Sequence, residues 1–160
     1  MTPLTYRAAE ASDAPALSDL AHRALQPHVL PGWTRHAIER LLSENSETAL
    51  REFLPTAGFA YVCVEPGTLV GFIAAKSPRV LSLLVVDPLH QRRGIASRLL
   101  DLMLAFVAQH APEVSVVEVN ATEYSLPFYR RRGFYPLSEF IDYDGCRFAR
   151  LGFWRENPLG

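Results

Sequence analysis

Apolar and polar positions along this chain of 160 residues follow two periods, and they predict strands and helices in a definite order. Residues 4–7 predict a short first strand. The next helix has Ser12 or Asp13 as its cap and Pro15 in its first turn. Its apolar residues recur at helical spacing: Leu17, Leu20, Ala21 and Ala24.

A second helical segment separates this first helix from the main run of strands. Prolines and a glycine in residues 26–33 predict a loop. Ile38, Leu41 and Leu42 then indicate a second helix, and residues 46–54 a short third one.

The middle of the chain alternates between strand and helix patterns. Residues 59–64 and 69–75 predict a hairpin with a four-residue turn. Residues 80–86 form a nearly continuous apolar run, which is typical of a strand buried on both faces. A helix beginning near Gly94 and a strand over 114–119 follow.

The last part predicts one short helix and a final hairpin. Leu126 to Arg132 predicts the helix, and Gly133 is a favoured residue for its C-terminal end. Asp144 and Gly145 form a DG pair that predicts the turn of the last hairpin.

The predicted order of elements is therefore β, α, α, β, β, β, α, β, α, β, β. Its central β–α–β unit requires a parallel pair of strands with a right-handed crossover. Antiparallel hairpins flank this unit on both sides. We expect an α/β fold with a mixed, mostly antiparallel sheet and helices on both faces, in one domain over residues 1–160.

Composition narrows the classes of function. Apolar residues make up 49% of the chain, charged residues 21%, and the formal net charge is −1, which predicts a globular protein without a nucleic-acid or anionic-membrane partner. No signal peptide and no apolar run of about 18 residues is present, so we expect a cytoplasmic protein. Cys63 and Cys146 lie in no metal-ligand pattern, so we expect neither a metal nor a disulfide.

The most informative segment runs from residue 83 to residue 100. A buried strand ends at Val86, and Gly94 opens a helix whose free backbone N–H groups favour an anion. Gly94 and Ala96 leave room for a diphosphate, and Arg92 and Arg93 add positive charge. The alternative is a plain strand-to-helix turn with surface arginines. The motifs GxxxxGK[ST] and GxGxxG are absent, which disfavours nucleotide triphosphatases and dinucleotide dehydrogenases.

A second informative segment covers residues 119–134. Tyr129 follows Gly94 by 35 residues, with one helix and one strand between them. This spacing predicts that both lie at the C-terminal edge of neighbouring parallel strands, where open α/β sheets bind ligands. The alternative is that Tyr129 is a half-buried packing residue.

Together, the two segments resemble the GNAT superfamily of N-acetyltransferases. The first carries the pattern V-x-P-x-x-Q-x-x-G-x-A, at Val86, Pro88, Gln91, Gly94 and Ala96. The second carries F-Y-x-x-x-G-F, at Phe128, Tyr129, Gly133 and Phe134. The resemblance extends over most of the chain and implies the GNAT-type fold.

The resemblance also implies roles for individual residues. The backbones of Leu84 and Val86 would pair with the pantetheine arm of coenzyme A, and Asn120 would lie beside the opening where it inserts. Tyr129 stands at the position of the usual general acid and close to the bound cofactor. The loop that would bind the diphosphate consists of Gln91, Arg92, Arg93, Gly94, Ile95 and Ala96.

Acyl transfer from a thioester explains why a tyrosine suits this position. A thiol has a pKa of about 8.5 and a tyrosine of about 10, so tyrosine can protonate the leaving sulfur without being ionised at neutral pH. The general base is less evident, because the strand around Ser82 has no carboxylate before Asp87. Glu118 is the leading substitute, and its alternative role is a salt bridge.

Weaker candidates for the base are Glu123, His22 and His28. In the triplet from Arg130 to Arg132, one arginine would meet the 3′-phosphate of the cofactor, or the triplet is a solvated helix face. We expect His28 and Trp33, together with the hairpin around residues 140–148, to contact the acceptor.

The resulting hypothesis is an N-acetyltransferase that moves an acetyl group from acetyl-CoA to a primary amine of a small molecule or peptide. The alternative is a non-catalytic acyl-CoA sensor that keeps only the diphosphate loop. A nucleic-acid-binding module is disfavoured by the net charge of −1. The sequence leaves a homodimer open.

Overall fold

The computed structural model describes residues 3–155, which contain eight strands, five α-helices and four short 3-10 helices. The strands are β1 (Thr5–Ala8), β2 (Phe59–Glu65), β3 (Thr68–Ser77), β4 (Val80–Val86), β5 (Val116–Ala121), β6 (Tyr135–Pro136), β7 (Ile141–Tyr143) and β8 (Cys146–Trp154). The helices are α1 (Ala14–Ala24), α2 (Arg35–Glu44), α3 (Glu47–Phe53), α4 (Ile95–His110) and α5 (Leu126–Arg131).

The strands form one mixed sheet in the order β1-β2-β3-β4-β5-β8-β6, and β7 pairs with β8 off this path. Neighbouring strands are antiparallel except for β4 and β5, which are parallel. Helix α4 is the crossover between these two strands, since parallel neighbours need a long connection. The predicted mixed, mostly antiparallel sheet with a β–α–β unit is confirmed.

Helices cover both faces of this sheet and divide the core in two. Helix α4 packs on β2, β3 and β4, and α1 packs on β3 and β4 with α3 beside it. On β3, Ile73 belongs to the core under α4 and Phe72 to the core under α1. Gly71 allows α4 to come close, because a Cβ there would lie 2.7 Å from Cγ2 of Ile95.

Three details of the prediction are wrong. Glu65 pairs with Thr68 across the β2–β3 hairpin, so the turn contains two residues instead of four. Strand β5 begins at Val116, two residues later than predicted, and the short strand β6 was not predicted. In contrast, the DG turn between β7 and β8 is confirmed.

Strand β4 is less buried than its apolar sequence predicted. Val80 is 40% exposed, and Leu83 and Leu84 are half-buried. Val80 is paired on both edges, but Leu83 and Leu84 have a neighbouring strand on one edge only, since the pairing of β4 with β5 ends after Leu81. The apolar side chains beyond that point line an open cleft.

Candidate active site

A cleft opens where the two parallel strands separate. They are paired only at Val80 with Glu118 and at Leu81 with Val119, and their C-terminal halves then diverge. Two cavities, of about 340 and 380 Å³, lie at this opening. Both are lined by Leu84, Val86, Gln91, Tyr124, Ser125 and Tyr129. The two cavities are therefore adjacent and share these walls.

The larger cavity, here called the loop cavity, is bounded by the start of α4. Its lining includes Gln91, Arg92 and residues 94–97. The hydrogen bond from the Arg98 N–H to the Gly94 carbonyl is at 3.0 Å, so the N–H groups of Ile95 to Ser97 precede the helical ladder. Such groups at a helix start favour an anion.

Gly94 keeps the approach to these N–H groups open. It is the N-cap of α4 with φ of 77°, a conformation that favours glycine. A Cβ added there would meet no protein atom within 4 Å. The space that a side chain would fill therefore faces outward from the loop, where a ligand can approach the backbone.

The two loop arginines differ in their surroundings. Arg92 lines the loop cavity, whereas Arg93 forms an ion pair with Glu65 at 3.2 Å. The Nε2–H of His90 donates to the other carboxylate oxygen of Glu65 at 2.7 Å. Desolvation opposes ionisation of Glu65, but the hydrogen bonds from His90 and Arg93 hold its pKa below the usual value. Arg92 is thus the loop arginine that faces the cavity.

Asp87 fixes the beginning of the same loop. Its carboxylate accepts a hydrogen bond from the Leu89 N–H at 2.9 Å and pairs with Arg23 of α1 at 3.0 Å. Burial alone would raise the pKa of Asp87, but the Leu89 N–H and the Arg23 guanidinium hold it below the usual value. The sequence did not indicate roles for Asp87, Glu65 and His90, because the partners that define those roles are distant along the chain. Asp87 pairs with Arg23, 64 residues away, and Glu65 pairs with His90, 25 residues away.

Of the arginine triplet, only Arg131 lines the loop cavity. Arg132 forms an ion pair with Asp101 of α4, and Arg130 is exposed.

Tyr129 lies at the junction of the two cavities. It is 5% exposed, and its ring packs edge-on against Phe128 and Phe134 at 5.1 and 5.3 Å between centroids. Within residues 3–155 its hydroxyl makes no hydrogen bond to protein, and it lines both cavities. Burial raises the pKa of Tyr129 above its ordinary value, so the phenol is protonated at neutral pH.

The turn before α5 holds Tyr129 in this place. Thr122 N–H donates to the Ser125 hydroxyl oxygen at 2.9 Å, and Ser125 N–H donates to the Thr122 hydroxyl oxygen at 3.1 Å. After the helix, the Phe134 N–H donates to the Tyr129 carbonyl at 3.0 Å. Both ends of this six-residue helix are therefore fixed by hydrogen bonds.

Tyr124 is a second aromatic residue shared by the cavities, and the sequence did not single it out. Its hydroxyl donates to Oε1 of Gln91 at 3.4 Å, which links the segment after β5 to the loop before α4. The ring of His28 packs edge-on against Tyr124 at 5.8 Å.

The second cavity, here called the apolar cavity, lies on the side of α1 and α2. Trp33 lines it, and its Nε1–H donates to the Arg147 carbonyl at 2.9 Å. Asn120 also lines this cavity and not the loop cavity, while His28 contacts it only through Tyr124. Its apolar walls are Leu25, Leu30, Trp33, Leu41, Leu83 and Phe148.

The structure does not bring the candidate bases into the cleft. Glu118 pairs with Arg150 of β8 and lines neither cavity. Glu123 pairs with Arg147, and His22 donates through Nδ1 to the carbonyl of Ser18 at 2.7 Å. The role predicted for Glu118 stays a prediction.

In residues 3–155 no group of three or more His, Cys, Asp or Glu side chains could hold a metal ion. No helix there is long and apolar enough to cross a membrane.

Several solved N-acetyltransferases are similar to this fold. A GCN5-related N-acetyltransferase from Rhodopseudomonas palustris has a TM-score of 0.80 at 17% identity and covers 96% of each chain. The PaiA N-acetyltransferase from Thermoplasma acidophilum, solved with coenzyme A, has a TM-score of 0.75 at 17% identity, covering 95% of this chain and 99% of its own. The ribosomal-protein-S18-alanine N-acetyltransferase from Escherichia coli has a TM-score of 0.65 at 17% identity, covering 97% of this chain and 96% of its own.

No curated protein sequence matches the chain significantly. The family model described as an acetyltransferase (GNAT) domain matches residues 29–151, which includes the separating strands, the loop before α4 and Tyr129. Because this match spans well over half of the chain, the protein belongs to the GNAT family of acetyltransferases.

Proposed function

We propose that this protein transfers an acetyl group from acetyl-CoA directly to a primary amine. The observation that carries the proposal is the position of Tyr129, buried where the loop cavity and the apolar cavity meet. A thioester that reaches this junction from one side would meet an amine that reaches it from the other.

The loop cavity is the proposed site of acetyl-CoA. The free N–H groups at the start of α4 would bind the diphosphate, with Arg92 adding positive charge. Leu84 and Val86 pair with β3 but lie beyond the part of β4 that pairs with β5, so this edge of the strand is open to an extended pantetheine arm. The PaiA enzyme of the same fold was solved with coenzyme A, which supports this choice of donor.

Proton transfer in the reaction falls to Tyr129. The amine nitrogen attacks the thioester carbonyl, a C–N bond forms, and the C–S bond breaks with its electron pair moving to sulfur. Tyr129 gives its hydroxyl proton to that sulfur, and the proton released by the nitrogen restores the Tyr129 hydroxyl. The raised pKa of Tyr129 keeps the hydroxyl protonated before the reaction begins.

One observation favours a second candidate, a non-catalytic acyl-CoA sensor. The residues that line the two cavities include no carboxylate, and the histidine among them, His90, is engaged by Glu65. A protein without a catalytic base would still bind the donor through its loop.

The test measures free thiol released from acetyl-CoA by the purified protein with a panel of primary amines. Amine-dependent release, with the acetylated amine identified by mass spectrometry, is expected for the transferase. In parallel, acetyl-CoA at about 100 times its Kd is expected to stabilise the fold by ~2.7 kcal/mol, with much smaller shifts for ATP and NAD. Stabilisation without release would favour the sensor, and equal stabilisation by ATP would contradict the site itself.

A further inference from the structure

The apolar cavity differs from an ordinary binding site for a charged metabolite. Among the described residues that line it, none is Asp, Glu, Lys, Arg or His. Polar side chains such as Ser82, Asn120 and Thr122 are present, but they carry no charge. A carboxylate or a second ammonium group entering this cavity would lose its hydration without gaining an ion pair.

The arginines that flank the lining residues Leu41 and Cys146 in sequence, here called the rim, are already paired with carboxylates. Arg147 binds Glu123 at 2.5 Å and Asp142 at 3.1 Å, and Arg40 binds Asp144 at 3.2 Å. An acceptor with a charged tail would have to compete with these ion pairs. The rim therefore gives no reason to expect recognition of a charged tail.

The same lining decides how the amine loses its proton. Its ionisable side chains are Tyr124, Tyr129 and Cys146, and none of these is a carboxylate or an imidazole. Outside the lining, Glu118 is held by Arg150, and His28 lies exposed against the outer ring of Tyr124. None of these groups is placed to remove a proton from an ammonium ion inside the cavity.

We propose that the acceptor is an apolar monoamine whose non-reacting part is uncharged, and that it enters the apolar cavity as the neutral free base. This inference rests on the proposed acetyl transfer. The cavity volume of about 340 Å³ is at the small end of ligand sites, which suits a single ring or short alkyl chain.

The reaction needs no additional base when the amine enters neutral. Formation of the C–N bond releases one proton from nitrogen, and the departing sulfur takes up one proton. Tyr129 can give its proton to sulfur and recover one from nitrogen, so it ends the reaction in its starting protonation state. Deprotonation of the ammonium ion takes place in solvent before binding.

Three acceptors that share a phenyl ring test the proposal: phenethylamine, phenylalaninamide and phenylalanine. With rates expressed per concentration of free-base amine, we expect kcat/KM for phenylalanine to be at least about tenfold below that for phenylalaninamide, because only phenylalanine brings a carboxylate into the cavity. Equal or better use of phenylalanine, or a preference for spermidine over phenethylamine, would overturn the proposal while leaving acetyl transfer intact.

The pH dependence tests the second half of the proposal. For phenylalaninamide, whose α-amine has a pKa of about 7.7–8.0, kcat/KM is expected to level off near that pH. For phenethylamine, an alkyl amine with a pKa nearer 10, it is expected to rise by about tenfold per pH unit through pH ~9. One common inflection for both acceptors would reveal a base on the protein and overturn the proposal.

A charge placed in the cavity provides a matched pair of variants. Leu41 of α2 lines the cavity, whereas Leu42 beside it is also half-buried but lies outside the lining. We expect Leu41→Glu to raise the ratio of kcat/KM for 1,5-diaminopentane over pentylamine by about tenfold, and Leu42→Glu to leave it unchanged. An unchanged ratio in folded Leu41→Glu would contradict the acceptor site.

If the wild-type protein released no thiol from acetyl-CoA with any amine, the proposed acetyl transfer would be contradicted. This inference, which rests on that function, would then be contradicted as well.

Discussion

The loop cavity and the apolar cavity share one junction but are built in opposite ways. Most of the loop cavity comes from two continuous segments, the end of β4 with the start of α4 and the segment from Tyr124 to Arg131. It offers free backbone N–H groups and arginine side chains. The apolar cavity collects side chains from α1, α2, β4, β5 and β8, and none of them is charged.

This difference corresponds to two kinds of recognition. Backbone N–H groups and cations suit a diphosphate, a group shared by every acyl-CoA donor. Apolar side chains instead select by shape and by the absence of charge, which suits a variable second substrate. We therefore expect substitutions in the two cavities to affect the two substrates separately.

The largest effect is expected at Gly94. Gly94→Val places a branched side chain where the donor approaches the free N–H groups, so the affinity for acetyl-CoA should fall at least about 100-fold. Isothermal titration calorimetry measures this loss. Gly67 has a similar φ of 80° and equally open space, but it lies in the β2–β3 turn. Gly67→Val therefore introduces a similar backbone strain, but it should bind acetyl-CoA with wild-type affinity. If both variants lost affinity for acetyl-CoA equally, backbone strain would explain the loss at Gly94.

The next largest effect is expected at Tyr129. Tyr129→Phe keeps the contacts with Phe128 and Phe134 but removes the proton donor, so kcat should fall by about 10²-fold or more. The affinity for acetyl-CoA should stay within a few fold. Tyr124→Phe is the matched control, since it removes a hydroxyl that only bridges to Gln91. If Tyr129→Phe turns over like the wild-type protein, Tyr129 is a packing residue.

The pH profile of kcat tests whether Tyr129 is the proton donor. Because burial raises its pKa above the ordinary value of about 10, the neutral phenol persists to higher pH than in a free tyrosine. We expect no alkaline fall in kcat up to about pH 9.5. A decline beginning near pH 8 in steady-state kinetics would argue for a different acid.

A smaller effect, on the KM for acetyl-CoA alone, is expected for a substitution in the loop cavity. Arg92→Ala removes the loop arginine that lines the loop cavity, so the KM for acetyl-CoA should rise by about fivefold, and less at high salt. The KM for the amine should stay unchanged. Arg130 is exposed outside both linings, and Arg130→Ala is the control for a general change in charge. A similar rise in the control would show that long-range charge, rather than contact, is responsible.

The smallest effect is expected on the other side of the junction. Trp33→Phe trims the wall of the apolar cavity and removes the hydrogen bond to the Arg147 carbonyl, so the KM for the amine should rise by about threefold. The KM for acetyl-CoA should not change. If Trp33→Phe alters both constants equally, the two cavities do not act as separate sites.

The sequence determined the parts of this protein that depend on neighbours along the chain. Periodicity located β4 and α4, and the pattern around Gly94 and Tyr129 indicated the family before any contact was known. These features are local, because a helix start, a turn and a motif are each defined within about a dozen residues. The Asp144–Gly145 turn was predictable for the same reason.

Only the tertiary structure decided what surrounds the reacting groups. The separation of β4 from β5 after Leu81 is a property of the assembled sheet, and it turned a strand predicted as fully buried into the wall of a cleft. Arg92 and Arg93 are neighbours in sequence, yet Glu65, brought close by the β2–β3 hairpin, pairs with Arg93 and not with Arg92. Glu118 likewise has the right residue type, but Arg150 of β8 holds it outside the lining. These two pairings join residues 28 and 32 positions apart. Local sequence patterns do not predict them, because the fold of the whole sheet decides which distant residues come into contact.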